Sequence, residues 1–305
     1  MPHERVYANS SGPAGPSTGR VVSSGQADVS RRLEERLIAW RIAVERFEET
    51  ESSILAFGLR DDQSVVLKVT RTPRDEWRAG EVLRALDGDG TVRVYDHIEG
   101  AMLLERLRPG TRLAGLASSG NDDQATAILA DVIGRLGPRE APNGTPTVEE
   151  WGKAFQRYAV SGDARIPADL VADANRVYLA LCRSQSRPRL LHGDLHHDNV
   201  LLDDQRGWLA IDPKGVIGEL EYEVGAALRN PVDHPSLFVD AERIQKRVAQ
   251  FVSRLGLDGS RVLAWAFAQA VLSAVWMIED GSEPGTAFLA FADTIRPAVS
   301  VEFHS

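Results

Sequence analysis

The chain has 305 residues, a formal net charge of -9 and a hydrophobic content of 43%, which are ordinary values for a soluble globular protein large enough for two lobes. The acidic balance weighs against nucleic acid as a partner, which would need a basic surface, and the single cysteine, Cys182, excludes an intramolecular disulfide. Because no continuous apolar segment near the N-terminus resembles a signal peptide, we expect a cytoplasmic protein without membrane association.

Residues 1–27 are rich in Ser, Gly and Pro and are predicted to form a mobile tail. Apolar runs and helical periodicities then alternate as far as Leu104. They predict a helix over Val29–Trp40, strands over Ser53–Phe57 and Ser64–Val69, a helix over Asp75–Leu86, and strands over Val92–Tyr95 and Ala101–Leu104. From Glu105 onward the pattern is mostly helical. We therefore predict an N-terminal nucleotide-binding lobe over residues 28–104, a hinge over 105–110, and a C-terminal catalytic and acceptor-binding lobe over 111–305.

Lys68 lies inside an apolar predicted strand, where a lysine needs an exposed face or an anionic partner. Either its stem covers apolar surface, or its ammonium group binds nucleotide phosphates and an acidic residue of the following helix. The downstream motif described below favours the second interpretation. Glu76 and Glu81 are the candidate acidic partners, and Glu76 lies nearer the apolar face of that helix.

A glycine-rich phosphate loop of the usual pattern is missing before Lys68. The segment Glu49-Thr50-Glu51-Ser52-Ser53 occupies its place. Ser52 and Ser53 are weak candidates for phosphate contact through their hydroxyl and backbone N–H groups, because the two glutamates would repel phosphate unless they point away.

The most informative segment is LLHGDLHHDNVLL, residues 190–202, followed by WLAIDPK, residues 208–214. Phosphoryl transfer from ATP needs a carboxylate that faces the attacking hydroxyl and two oxygen ligands for magnesium, and Asp194, Asn199 and Asp212 supply this set. Two apolar runs flank a polar stretch that ends at Gly207, which predicts a β-hairpin. Asn199 and Asp212 then lie at the same open end of the hairpin, with Asp194 on the loop just upstream.

The same segment also contains the side chains of a possible transition-metal cluster. Its members would be His192, Asp194, His196, His197 and Asp198. This alternative is disfavoured because the segment runs directly into a strand and no second histidine-rich segment completes a ligand set.

Candidates for acceptor binding follow the magnesium-binding aspartate. They are Glu219, Glu223, Trp265, Gln269 and Trp276. The last three share a narrow arc of a helix predicted over Val262–Ile278, which reads as a core helix rather than a membrane span. The alternative is that the tryptophans belong to the core and that the glutamates are solvated, with Glu223 bracing the catalytic loop.

The segments quoted above, together with WLAIDPKGVIGELEYEVGAALRNP, MLLERLRPG and GEVLRALDGDG, resemble the aminoglycoside phosphotransferase branch of the protein-kinase-like superfamily. Within that branch the resemblance is to the streptomycin 6-kinase/hydroxyurea phosphotransferase group. It implies an α+β, bilobal protein-kinase-like fold, with a small β-rich N-lobe containing one main helix and a larger, mostly helical C-lobe. It also implies ATP and Mg²⁺ as cofactors, Asp194 as the catalytic base, Asn199 and Asp212 as magnesium ligands, and Lys68 as the phosphate lysine.

The resemblance favours Glu81 as the partner of Lys68, and it implies that backbone groups of Glu105, Arg106 and Leu107 contact adenine. Lys214 follows the magnesium-binding aspartate by two residues, and it either stabilises charge on the transferring phosphoryl group or forms a salt bridge. We expect a kinase whose acceptor is a cationic aminoglycoside such as streptomycin, with no obligatory protein partner. The alternatives are a kinase of another small alcohol (hydroxyurea, choline, homoserine, a macrolide or a metabolite) and a nucleotide-binding protein without catalysis.

Overall fold

The computed structural model describes residues 24–73, 75–86 and 90–299, which form a small β-rich lobe and a larger helical lobe. The first helix, α1 (Ser24–Ala39), begins before the predicted start at Val29 and inside the predicted tail. Asp28 pairs with Arg31 and Arg32 at 2.7 and 3.0 Å. Such pairs one turn apart stabilise the N-terminal part of α1, where the sequence has no apolar periodicity. The rest of the predicted tail, residues 1–23, lies outside the described residues.

The N-terminal lobe is built on a five-stranded antiparallel sheet. Its strands are β1 (Ala43–Glu49), β2 (Ser53–Arg60), β3 (Gln63–Thr70), β4 (Val94–Ile98) and β5 (Ala101–Glu105). They lie in the order β1-β2-β3-β5-β4, so β1 is an edge strand. The sequence pattern predicts β2 to β5 but not β1, because most side chains of β1 are exposed and backbone pairing with β2 holds it in place.

The two faces of this sheet have different partners. Alternation along β3 turns Leu67 and Val69 toward the core shared with α1, and it turns Lys68 toward the opposite face. On that face Met102 packs with Leu83 of a second helix, α2 (Ala79–Leu86). A 3-10 turn, Asp75–Arg78, precedes α2, so the helix predicted over residues 75–86 consists of two different helical segments.

The C-terminal lobe is mostly helical. Its helices are α3 (Leu113–Ser118), α4 (Asp122–Leu136), α5 (Val148–Ser161), α6 (Ala168–Arg183), α7 (Leu220–Leu228), α8 (Ala241–Leu255), α9 (Gly259–Glu279) and α10 (Thr286–Ile295). Its short strands are β6 (Pro109–Arg112), β7 (Arg189–Leu191), β8 (Val200–Asp203), β9 (Gly207–Ala210) and β10 (Val216–Gly218). They form a three-stranded sheet, β6-β8-β9, and a two-stranded sheet, β10-β7.

Helix α9 is the central helix of the C-terminal lobe, which confirms the core helix predicted over Val262–Ile278. Asp258 caps it, and its carboxylate accepts hydrogen bonds from the backbone N–H groups of Ser260 and Arg261 at 2.8 and 3.2 Å. The helix has the length and composition to cross a membrane, but most of it is buried inside the lobe. Its apolar character therefore serves packing in this fold.

The β8–β9 hairpin joins the two lobes at the segment predicted as a hinge. The Arg108 backbone N–H donates to the Asp203 carboxylate at 3.0 Å, and the Asp204 N–H donates to the Arg108 carbonyl at 2.6 Å. Arg206 forms an ion pair with Glu105 at the end of β5. These contacts hold the hairpin, and the residues at its open end, against the edge of the N-terminal lobe.

Candidate active site

The β8–β9 hairpin brings Asn199 and Asp212 together, as the sequence predicts. Val200 pairs with Ala210 at the open end of the hairpin, and the Ile211 N–H donates to the Asn199 carbonyl at 2.9 Å. Asp212 adopts a φ of 58°, a left-handed conformation that a non-glycine residue seldom takes. Such backbone outliers cluster at functional sites, where surrounding contacts hold them in place.

Asp194 lies on the loop between β7 and β8, in contact with Asn199 and with Lys214, two residues after Asp212. The Asn199 amide nitrogen donates to the Asp194 carbonyl at 2.9 Å, and the Lys214 ammonium lies 3.4 Å from Asp194 Oδ2. Burial alone would raise the pKa of the Asp194 carboxyl, but the positive charge of Lys214, with smaller effects from His196 and Arg229, brings it below its ordinary value. The carboxylate is therefore ionised at neutral pH and able to accept a proton.

Two buried side chains hold the loop that carries Asp194. The Glu223 carboxylate accepts hydrogen bonds from the Gly193 backbone N–H at 3.1 and 3.3 Å, and burial raises its pKa to about 7. Burial also lowers the pKa of His192 to about 4, so its ring is neutral and Nε2 donates to the Ile211 carbonyl at 2.8 Å. Glu223 is thus a bracing residue, and its prediction as an acceptor ligand is wrong because both oxygens face the loop.

Lys68 pairs with Glu76, which corrects the prediction of Glu81. The Lys68 ammonium lies 2.7 Å from a Glu76 oxygen and 2.7 Å from Asp212 Oδ1. Burial would lower the pKa of Lys68, but the two carboxylates raise it above its ordinary value, so the ammonium stays charged. Glu81 instead pairs with Arg78 one turn earlier. Lys68 therefore links the 3-10 turn before α2 to the aspartate at the end of the hairpin.

The turn between β1 and β2 has a compact internal structure. Ser53 is buried and its hydroxyl lies 2.9 Å from that of Thr50, so the prediction that this hydroxyl contacts phosphate is wrong. Ser52 lies nearer the cleft, where its hydroxyl is 3.5 Å from Glu76. Glu49 pairs with Arg71 at 2.5 Å, which neutralises one of the two charges expected to repel phosphate.

The predicted magnesium ligands have the donor chemistry that this ion prefers. Because the amide nitrogen of Asn199 donates to Asp194, its Oδ1 is the atom left for a cation. One carboxylate and one amide oxygen suit Mg²⁺, which takes its other ligands from phosphates and water. Over residues 24–73, 75–86 and 90–299, no group of three or more His, Cys, Asp or Glu side chains is arranged to hold a metal, which disfavours the transition-metal alternative.

Three of the residues predicted to bind the acceptor are instead part of the core. Glu219 is buried and accepts hydrogen bonds at 2.5 Å from Arg261 and from the Trp265 indole. Gln269 is also buried, and its amide nitrogen donates to the Tyr222 carbonyl at 2.6 Å. The acceptor role predicted for Glu219, Trp265 and Gln269 is therefore wrong.

Trp276, at the C-terminal end of α9, is the predicted acceptor residue that reaches the cleft. Its ring meets that of Trp151 edge-on at 5.5 Å, and the Lys214 ammonium lies 5.9 Å from its centroid. Lys214 and Trp151 line a depression of about 410 Å³ beside α2, and with Trp276 they also line an adjoining one of about 340 Å³. Trp151 has no sequence signal that distinguishes it from a core tryptophan.

The side chains at the hinge turn toward neighbouring charged groups. Glu105 accepts a hydrogen bond from the Arg93 N–H at 2.8 Å, and Arg106 pairs with Glu45 at 2.5 Å. Leu107 and Ile211 both pack against the buried cluster that contains Leu83 and Met102. Contact between adenine and the backbone of residues 105–107 stays a prediction.

A candidate base, two candidate magnesium ligands and a lysine–glutamate pair thus surround one cleft between a β-rich and a helical lobe, which is the arrangement of a kinase. The fold agrees with this class. The aminoglycoside phosphotransferase APH(4)-Ia has a TM-score of 0.64 and 17% sequence identity to this chain, covering 90% of this chain and 100% of that chain. The prediction of a protein-kinase-like fold is confirmed.

Residues 39–281 match the family described as aminoglycoside/hydroxyurea antibiotic resistance kinase, and the chain belongs to this family. A streptomycin 3''-kinase of Klebsiella pneumoniae is 38% identical over 237 residues, which are 76% of this chain and 86% of the relative. A streptomycin 6-kinase of Streptomyces glaucescens is 31% identical over 276 residues, or 85% of this chain and 87% of the relative. The predictions of the family and of kinase activity are confirmed.

Proposed function

We propose that this protein transfers the γ-phosphoryl group of ATP to a hydroxyl group of an aminoglycoside, with streptomycin as the first candidate. The observation that carries the proposal is the ionised Asp194 carboxylate, placed beside Asn199, Asp212 and the Lys68–Glu76 pair in one cleft. The relatives are named after two different streptomycin hydroxyls, so family membership leaves the phosphorylated position open.

In the proposed reaction Asp194 accepts the proton of the acceptor hydroxyl as its oxygen bonds to the γ-phosphorus. The bond from the γ-phosphorus to the bridging oxygen breaks, and ADP leaves with the electron pair. Lys68 is suited to bind the phosphates on the N-lobe side, because its ion pairs with Glu76 and Asp212 fix the position of its charged ammonium group. Asn199 and Asp212 would hold Mg²⁺, which supplies charge neutralisation on the triphosphate when bound.

The acceptor is proposed to lie over the two adjoining depressions that share Trp151 and Lys214. Their volumes of about 410 and 340 Å³ are within the range of sites that hold small molecules. Trp151 and Trp276 offer apolar ring surface to a sugar, and Glu150 and Asp280 at the rim of the smaller depression provide negative charge for a cationic acceptor. Glu279 lines the same depression, but Arg157 binds both of its oxygens at 2.7 and 2.8 Å. A supply of ATP fits the cytoplasmic location expected from the single cysteine.

The test measures ATP consumption and the mass of the product with streptomycin, hygromycin B, hydroxyurea and choline. We expect a gain of one phosphoryl group on streptomycin. Asp194→Ala should lower kcat by about 100- to 10,000-fold, the usual contribution of a general base, while Mg·ATP binding stays within about threefold of wild type. Asp204→Ala is the matched control, because this exposed aspartate lies in the turn of the same hairpin.

Two results would reject parts of this proposal. Near-full activity of Asp194→Ala on the true acceptor would reject the base assignment. Phosphorylation of hydroxyurea or choline with none of either aminoglycoside would keep a small-molecule kinase but reject the aminoglycoside as its substrate.

A further inference from the structure

Lys214 lies between the candidate base and the proposed acceptor site. Its ammonium group is 3.4 Å from Asp194 Oδ2 and 5.9 Å from the centroid of the Trp276 ring, and the side chain is 26% exposed. It also lines both depressions on the acceptor side. A positive charge thus lies beside the Asp194 carboxylate and at the wall of both depressions.

The backbone around Lys214 is held against the loop that carries Asp194. The N–H groups of Lys214 and Gly215 both donate to the His192 carbonyl at 3.0 Å. Gly215 has a φ of 77°, and a Cβ there would lie 2.5 Å from Val82 of α2, so the helix packs directly on this backbone. The backbone at Lys214 is therefore held by the His192 loop and by α2 before any substrate binds, which is the preorganisation that electrostatic catalysis needs.

Two other positively charged side chains near the cleft, those of Lys68 and Arg229, bind other groups. The sequence contains four lysines among 35 basic residues, and two of the four, Lys68 and Lys214, lie in the cleft. Lys68 is engaged with carboxylates on the N-lobe side. Arg229 is buried and donates to Gln269 at 2.9 Å. Within the described ranges, the Asp194 carboxylate forms its ion pair with Lys214 and not with another lysine or arginine.

We propose that Lys214 is a catalytic residue whose ammonium group contacts the transferring γ-phosphoryl group. It neutralises negative charge on the equatorial oxygens while the bond from the acceptor oxygen to phosphorus forms and the bond to the β-phosphate oxygen breaks. The acceptor proton passes to Asp194 and ADP leaves. A compact ammonium suits this task because it binds phosphate as a point charge. The inference rests on the proposed function, since it concerns the same reaction.

The test compares Lys214→Met, Lys214→Arg and wild type in steady-state kinetics with Mg·ATP and streptomycin. Lys214→Met should lower kcat by about 100-fold or more, the usual effect of removing one preorganised charge-stabilising group. Its KM values for ATP and streptomycin should stay within about threefold of wild type. Lys214→Arg keeps the charge but changes its shape, so it should recover about tenfold of the lost kcat. Lys246→Met, on the exposed face of α8, is the matched control and should match wild type.

Thermal unfolding of each variant separates chemistry from folding, because a merely structural lysine would lower the melting temperature and would not be rescued in kcat by arginine. The inference is overturned if Lys214→Met keeps kcat within about threefold of wild type, or if only its KM for streptomycin rises. If wild type phosphorylates no acceptor at all, both the proposed function and this inference are rejected. If wild type turns over and Lys214→Met equals it, only the inference fails.

Discussion

The pairing of Lys68 with Glu76 can be tested by two substitutions of the same kind, one in the 3-10 turn and one in the adjoining helix α2. Glu76→Gln keeps the size of the side chain but removes the charge that lies 2.7 Å from the buried Lys68 ammonium. A hydrogen bond to a charged group contributes about 1.5–3 kcal/mol, which corresponds to about 10- to 100-fold in an equilibrium constant. Because Lys68 would then be drawn to Asp212 alone, we expect kcat/KM for ATP to fall by that factor.

Glu81→Gln is the matched control for this experiment. Glu81 pairs with Arg78, and both side chains are about one-third exposed (32% and 34%), so the pair contributes at most about 1 kcal/mol to stability. We expect its kcat/KM for ATP to stay within about twofold of wild type. The assay is steady-state kinetics at saturating acceptor, with Mg·ATP affinity measured by calorimetry. Equal losses in the two variants, or a larger loss in Glu81→Gln, would refute the assignment of Glu76.

Two further predictions concern stability. Burial raises the pKa of Glu223 from 4.5 to about 7, so this carboxyl group loses its proton at a lower pH in the unfolded chain than in the folded one. The contribution of Glu223 to the free energy of unfolding is therefore complete below pH 4.5. It is lost as pH rises to about 7, which lowers the free energy of unfolding by an amount on the order of 3 kcal/mol. Urea unfolding at several pH values should show this slope in wild type and a flatter one in Glu223→Gln, and equal slopes would contradict the argument. Arg247→Met should cost up to about 3–5 kcal/mol in urea unfolding, because it removes the partner that lies 2.5 Å from Asp122, 6% exposed, and leaves that carboxylate with the more exposed Arg243 at 3.6 Å. Adding Asp122→Leu should recover part of that loss, and strictly additive losses would argue against a coupled pair.

The core of the site follows from the sequence because it depends on local structure. Two apolar runs and a turn ending at Gly207 are enough to define a hairpin, and a hairpin brings the residues at its open end together. Asn199 and Asp212 are placed in this way without any knowledge of the helices. Strand β1 cannot be predicted in this way, because most of its side chains are exposed and show no apolar pattern. It is held by backbone hydrogen bonds to β2.

The partner of Lys68 depends on a detail of helix geometry. The sequence predicts one continuous α-helix over residues 75–86, but Asp75–Arg78 forms a 3-10 turn. A 3-10 turn has about three residues per turn and a longer rise than an α-helix, so a helical wheel drawn for one α-helix gives the direction of Glu76 only to within part of a turn. The helical wheel placed Glu76 nearer the apolar face, and the family resemblance favoured Glu81. The contact with Lys68 agrees with the wheel.

The acceptor side depends on long-range packing, which periodicity does not contain. Trp265 and Trp276 share one arc of α9, but at 1.5 Å per residue they lie about 16 Å apart along its axis. A helix that is apolar on all sides carries no stripe to show which part faces a cleft. In the structure Glu219 binds the Trp265 indole inside the core, whereas Trp276 meets Trp151 of α5 at the surface. The last turn of α9 therefore lines the proposed acceptor site, and its neighbours Trp151 on α5 and Lys214 beside Asp212, far away in sequence, determine what that turn can contact.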